Sequence, residues 1–221
     1  MNTRQPLSEQ RIVEAAASVA DRDGLAAISM RRVGRELGVE AMSLYHHVAN
    51  KEALLDALGD WVFAQIELPM PDDGWSEGMR RRAASARRVL VDHPWALGLV
   101  DSRPHAGPAV LRHHDAVIGC LRRNGFTVAD AARAFSLIDA YVYGFALTER
   151  NLPFDAEGAG AEELAVELLP QMADYSYLAE LASEVTAGGD YAFADEFENG
   201  LDLILEALAP FAAPAPGTPA H

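Results

Sequence analysis

The sequence predicts an all-α protein, with an N-terminal three-helix domain of the helix-turn-helix kind and a larger helical domain behind it. Three observations carry this prediction. Apolar residues recur at spacings of three and four along most of the chain, and no segment alternates as a half-buried strand does. Polar capping residues and glycine stops punctuate the first of these patterns. The stretch from Ser29 to Lys51, SMRRVGRELGVEAMSLYHHVANK, then holds two short helical patterns on either side of a tight turn at Gly38-Val39-Glu40. Hydrogen-bonding side chains crowd the second pattern, the arrangement that lays a short helix in the DNA major groove.

The elements follow in order. A first helix from about Ser8 to Asp23 places Ile12, Ala15, Ala16 and Val19 on one face, and Gly24 ends it. Ser29 caps a second helix, Met30 to Leu37, which buries Val33 and Leu37. Gly38 supplies the turn to a third helix, Ala41 to Val48. Asn50 caps a fourth, which turns Leu54, Leu55, Leu58 and Val62 inward and is expected to pack on both domains. Pro69, Pro71, Asp72, Asp73 and Gly74 make the first clear break. The domains are accordingly set at 1–68 and 69–209, with 210–221 an Ala/Pro-rich tail expected to be disordered.

In the larger domain, Trp75 to Asp92 reads as a helix with Arg80, Arg81, Arg82, Arg87 and Arg88 on its wet side. His93 to Pro108 can hold only short helical turns. Ala109 to Arg123 and Val128 to Asn151 are helices separated by Asn124-Gly125. The second of these is apolar around nearly its whole circumference, and a helix apolar all round must be buried all round. One face is expected on its own core and another on a second copy of the chain. Asp190 to Ala209 repeats the pattern, so paired helices from two subunits would form a four-helix dimer interface. Leu152 to Gly160 reads as a flexible acidic loop, and Pro170 interrupts a helical pattern between Glu162 and Ser183.

Composition bounds the function. Half of the 221 residues are apolar, which excludes a disordered chain, and the single cysteine, Cys120, excludes an intramolecular disulfide framework. No signal-peptide pattern opens the chain, and no apolar run approaches the roughly 18 residues that span a bilayer. A cytoplasmic protein without membrane partners is expected. The net charge of -15 argues against nucleic acid until its placement is read. From Ser29 to Lys51 four basic residues face two acidic ones, whereas beyond Arg150 there are 14 acidic residues and no Lys or Arg. The acid therefore lies mostly in the C-terminal part.

With these residues in hand, ISMRRVGRELGVEAMSLYHHVANKEALLDAL resembles the helix-turn-helix of the TetR family of transcriptional repressors. The likeness rests on the small residue before L-G-V, on S-L-Y-x-H-V and on N-K-x-x-L-L. SRPHAGPAVLRHHDAVIGCLRRNGF is similar to the C-terminal domain of the tetracycline-repressor branch, through S-R-P and R-N-G-F. The resemblance implies double-stranded DNA with a palindromic operator as partner, a homodimer, and a small-molecule effector. Two turns of helix span about 10 Å, so few side chains of the third helix reach base edges. Leu44 and Val48 anchor it, while Met42, Ser43 and His46 project outward: Ser43 to either base type, Met42 to a thymine methyl. Tyr45 and His47 are assigned to phosphates, with packing an equal alternative for Tyr45. Lys51 adds charge at a helix N-terminus suited to phosphate, and Arg31 reaches a guanine or a phosphate. Arg32 and Arg35 are read as solvated or ion-paired. Adjacent His46 and His47 point about 100° apart, which excludes a shared metal.

The resemblance also implies an effector pocket in the larger domain, with candidate lining residues Trp95, Arg103, His113, Phe135, Asp139, Tyr143 and Thr148. In the tetracycline repressor a histidine just upstream of the Arg-Pro pair helps hold the magnesium of the drug; here that segment is Leu99-Val100-Asp101-Ser102. Thr148 stands where that branch has a metal-linked carboxylate, with Glu149 next to it. An apolar inducer is therefore expected in place of magnesium–tetracycline, with no metal and no cofactor. No phosphate loop, nucleophile elbow or paired-carboxylate signature occurs. The alternative reading is an all-α ligand-binding protein or enzyme that keeps the helix-turn-helix only as scaffold.

Overall fold

The computed structural model describes residues 6–100, 106–188 and 191–212, without the side chains of 100 and 185–188. No strand occurs among the described residues. The helices are α1 (Glu9–Asp23), α2 (Met30–Leu37), α3 (Ala41–Leu44), α4 (Lys51–Gln65), α5 (Trp75–Asp92), α6 (Leu97–Val100), α7 (Pro108–Arg123), α8 (Val128–Arg150), α9 (Ala161–Leu168), α10 (Ser176–Gly188) and α11 (Glu196–Leu208). Arg103 and residues 213–221 of the expected tail lie outside the described residues.

Local chemistry sets the helix ends. Ser8, Ser29, Asn50 and Thr127 each accept the backbone N–H three residues on, satisfying a donor that the first turn leaves unpaired. Gly24 (φ 78°) and Gly38 (φ 66°) take the left-handed backbone that a side chain would resist. The third helix is shorter than its apolar spacing predicts. Regular α-helix stops at Leu44, whose carbonyl accepts the N–H groups of both His47 and Val48 at 2.9 Å. Sharing one carbonyl tightens the final turn. Leu44 and Val48 are still the buried anchors, at 0% and 4% exposure.

Helices α2 and α3 meet across Gly34, whose carbonyl accepts the Val39 N–H at 2.9 Å. A Cβ on Gly34 would stand 2.9 Å from the Val39 carbonyl oxygen and 3.3 Å from the Ala41 backbone. Helix α4 packs on α1 and on α7, so it belongs to both halves of the molecule. Asp60 of α4 accepts the backbone N–H groups of Ala109 (2.7 Å) and Val110 (3.0 Å), placing a carboxylate on the N-terminus of α7.

In the larger part, α5, α7, α8 and α11 pack around one core that includes Met79, Val117, Leu121, Ile138, Val142 and Phe197. Of the arginines of α5 only Arg88 is exposed as a wet face requires; the other four are buried or half-buried. Arg82 is 1% exposed, and its spacing from Met79 and Ala86 places it on the buried stripe. Arg87 pairs with Glu149 at 2.5 Å and lies over the rings of Phe145 and Phe197. Arg80 pairs with Asp202, and Arg81 with Asp73. Helix α8 buries Ala131, Ala134, Ile138, Val142 and Phe145, yet leaves Val128, Leu137 and Leu147 exposed. Leu203 of the neighbouring α11 is exposed as well. In one chain, then, the apolar circumference of α8 is buried on a single side. Pro170 sits in a short turn between α9 and α10. The loop at 152–160 carries its own hydrogen bonds and accepts one from Ala194, so it is tied down more than its composition implies. No described helix is long and apolar enough to cross a membrane.

Two glycine replacements should move stability in opposite directions. Gly59→Ala in α4 meets nothing within 4 Å and gains about 0.5–1 kcal/mol of helix propensity. Gly34→Ala makes the same gain but pushes on rigid backbone, and overpacking of about 1–3 kcal/mol wins. Denaturant melts of both variants check the signs.

Candidate nucleic-acid interface and buried polar site

The outer face of α3 carries the residues assigned to DNA. Met42 is 73% exposed and Tyr45 45% exposed. His46, His47, Lys51 and Arg31 are exposed too, while Ser43 is half-buried. Met42, Tyr45, Arg31 and Arg35 line one groove between α2 and α3.

Ion pairs fix the attitude of this surface. Arg22 of α1 grips both carboxylate oxygens of Glu36 on α2, at 3.1 and 2.5 Å. That hydrogen bonding holds the Glu36 carboxyl below its ordinary range and raises Arg22. Arg32 pairs with Asp23 at 2.5 Å, as the reading of Arg32 as ion-paired expects. Asp23 and Glu36 are thus held in ion pairs, and Glu40 is the acid that shares the groove with Met42.

A second constellation lies inside the larger part. Arg82 donates through Nε to His113 Nε2 at 3.0 Å, and its Nη2 pairs with the Asp139 carboxylate. His113 is 0% exposed and Asp139 8% exposed. Burial first, then the Arg82 charge, pushes the His113 pKa down to about 3. Burial raises Asp139 more than Arg82 lowers it, and His114 is likewise lowered chiefly by burial. Phe135 of α8 lies 6.0 Å from the Arg82 guanidinium and meets His114 edge-on. Phe63 of α4 meets both His113 and His114 edge-on.

Of the residues read as pocket lining, the structure brings together His113, Phe135 and Asp139. Tyr143 is half-buried against the core. Thr148 is exposed and donates to the Gly144 carbonyl of its own helix at 3.0 Å. Trp95 sits elsewhere: its Nε1–H donates to Asp21 of α1 at 2.6 Å, and its ring stacks on Trp61 of α4. The sequence reading missed Arg82 and Phe63. The interval from Met79 through Arg82 to Ala86 was the signal for Arg82, obscured by reading Arg80–Arg82 as one basic block.

Comparison with known proteins agrees with this geometry. Residues 12–58 match the family model for bacterial regulatory proteins of the tetR family, and residues 68–210 match the tetracyclin repressor-like C-terminal domain. An HTH-type transcriptional regulator of Saccharopolyspora erythraea is 35% identical over 94% of this chain and 86% of its own length. The HTH-type transcriptional repressor DrrR1 of Streptomyces coeruleorubidus is 36% identical over 91% of this chain and 77% of its own. Among solved structures, Streptomyces coelicolor ActR in complex with (S)-DNPA superposes with a TM-score of 0.74 at 30% identity, covering 95% of this chain and all of ActR.

The His113 environment sets a pH dependence. Its folded pKa of about 3 lies below the ordinary 6.5, so its contribution to stability is complete above 6.5 and is lost as pH falls toward 3. Between neutrality and pH 5 this amounts to about 2 kcal/mol. Imidazole proton shifts that stay unprotonated through pH 5 would establish it; a normal titration near pH 6.5 would contradict it.

Proposed function

Since the chain belongs to the TetR family of bacterial transcriptional regulators, we propose that it acts as a homodimeric repressor, released from a palindromic operator by a small, largely apolar molecule. Residues 1–68 are the reading domain, 69–209 hold the effector and the dimer contact, and 210–221 are a tail. The relatives are regulators and repressors, so the enzyme alternative falls away.

One observation carries the DNA reading. Leu44 and Val48 are buried while Met42, Tyr45, His46, His47 and Lys51 are open on the opposite side of a capped, ion-paired helix-turn-helix. Met42 and Ser43 face bases; Tyr45, His47 and Lys51 face phosphates; Arg31 and His46 flank them. The exposed Leu137 and Leu147 of α8, next to Leu203 of α11, make the face that pairs with a second copy. A dimer sets the two α3 helices one DNA turn apart, about 34–36 Å. Repression ends when the effector binds better to a state with another spacing, because only differential affinity shifts such an equilibrium. His113, Phe135 and Asp139 form the centre of the effector site, with Tyr143 one turn along α8 from Asp139. The ActR complex with a small molecule supports an effector of this kind.

Selection of genomic fragments by the full-length protein at near-physiological salt should return a palindrome; recovery of non-specific DNA alone would refute the reading. On that site Lys51→Ala weakens binding to every sequence and flattens the salt slope by about 0.9 for each phosphate it no longer neutralises. Met42→Ala instead changes operator preference. The double variant Leu147→Asp/Leu203→Asp sediments as a monomer at concentrations where the parent is a dimer.

A further inference from the structure

The basic residues of the reading head divide into two sets. Arg22 and Arg32 are spent on Glu36 and Asp23. Arg31 and Arg35 stand four apart, and so on one face of α2, and both are exposed. Among the described residues neither of these two side chains has a hydrogen bond or an ion pair. Like charges at this spacing repel each other on a helix, so folding alone gains nothing from placing them there.

Both arginines open onto the groove between α2 and α3, a space of about 660 Å³. Two small residues shape it. Gly34 lets α2 come so close to the start of α3 that a Cβ would press on the Val39 carbonyl oxygen. Ala41, in the first position of α3, brings only a methyl group into the groove. A longer side chain at that position would take up volume through which Arg35 can swing.

Chemistry decides what the groove takes. Its lining includes the apolar Val39, Ala41 and Met42, and its one acid is Glu40. A phosphate drawn to Arg35 would come to rest near that carboxylate and be repelled by it. The edge of a base pair carries no net charge, so Glu40 does not oppose it. Guanine presents O6 and N7 side by side, and a planar guanidinium meets them with two parallel N–H bonds. Met42 then offers apolar contact to the methyl of a neighbouring thymine.

We propose that Arg35 is a base-reading residue of this protein, specifying one guanine in each half of the operator through O6 and N7. This rests on the DNA reading given above and adds a specificity residue on α2 to those of α3. The sequence alone assigns Arg35 to solvent or to an ion pair; the structure leaves it unpaired on the groove that Met42 shares.

The test uses the full-length protein and the palindrome recovered from genomic fragments, synthesised as duplexes in which each G·C pair in turn becomes A·T. At the position read by Arg35 the parent should lose roughly tenfold in affinity, the discrimination that one bidentate pair supplies. Arg35→Ala should become indifferent at that position and keep its preferences at the others. Arg35→Lys should not restore the preference, because an ammonium lacks the fixed fork that meets both acceptors. Replacing that guanine by 7-deazaguanine, which lacks only the N7 acceptor, should weaken the parent and make no difference to Arg35→Ala. Loss of affinity on every duplex alike, with the salt slope flattened by about 0.9 for each phosphate released, would make Arg35 a phosphate contact and overturn the proposal. Base preferences that all survive Arg35→Ala would return the side chain to solvent and overturn it as well, while the repressor reading stands. If selection recovers non-specific DNA alone, the repressor reading falls and this assignment falls with it.

Discussion

Helix α4 is the constraint on which the rest of the molecule depends, because it is a wall shared by two cores. Leu54 and Leu58 are fully buried in the common core, α4 packs on α1 as well as on α7, and Asp60 caps the first turn of α7. A carboxylate at a helix N-terminus with two N–H bonds is short, charge-assisted and directional. It can hold only if α7 begins where Asp60 can reach it, and Gly107 keeps that approach free of a side chain that would collide with the carboxylate. Any displacement of α7 therefore acts on α4 through a rigid joint. A second joint, from Asp21 of α1 to Trp95 and His93, ties the base of the reading head to the same region. Arg150 at the end of α8 donates to the Pro94 carbonyl and extends that joint toward the far end of the larger domain.

The charge arrangement reconciles an acidic chain with a DNA-binding role. A net charge of -15 repels phosphate only where the acids face it. In the reading head, Glu36 and Asp23 are consumed by Arg22 and Arg32, while Arg31 and Arg35 share the groove of Met42 with the single acid Glu40, and Lys51 is exposed. Arginines of α5 neutralise Asp202, Asp73 and Glu149 in the larger domain, so much of the basic charge there is spent on internal pairs. The distribution, rather than the sum, is what steers a partner to one face.

Much of this architecture could be read from spacing and capping alone. Ser29, Gly38 and Asn50 bracket the helix-turn-helix because caps and left-handed turns are local chemistry, decided by a residue and its near neighbours. The exposed face around α3 was legible for the same reason: once Leu44 and Val48 are inward, helical geometry turns Met42 and His46 outward. Arg82 was not legible as a buried group, although it lies on the apolar stripe of α5. Whether an arginine at such a position snorkels out or stays in depends on partners from other helices, here His113 and Asp139. Likewise Trp95 looked like pocket lining by its chemistry, but its hydrogen bond to Asp21, 74 residues away in sequence, places it at the joint with α1.

By itself the sequence determined the all-α class, the helix order, the buried anchors of the reading helix and the kind of chemistry on its outer face. These follow from periodicities of three and four and from turn residues whose conformations are set within a few bonds. Only the tertiary structure decided that Arg82, His113 and Asp139 form one buried cluster, that Phe63 of α4 touches it, and that Asp60 fastens α4 to α7. Those are meetings of distant segments, and local propensity does not specify which polar groups find one another when the helices close on a common core.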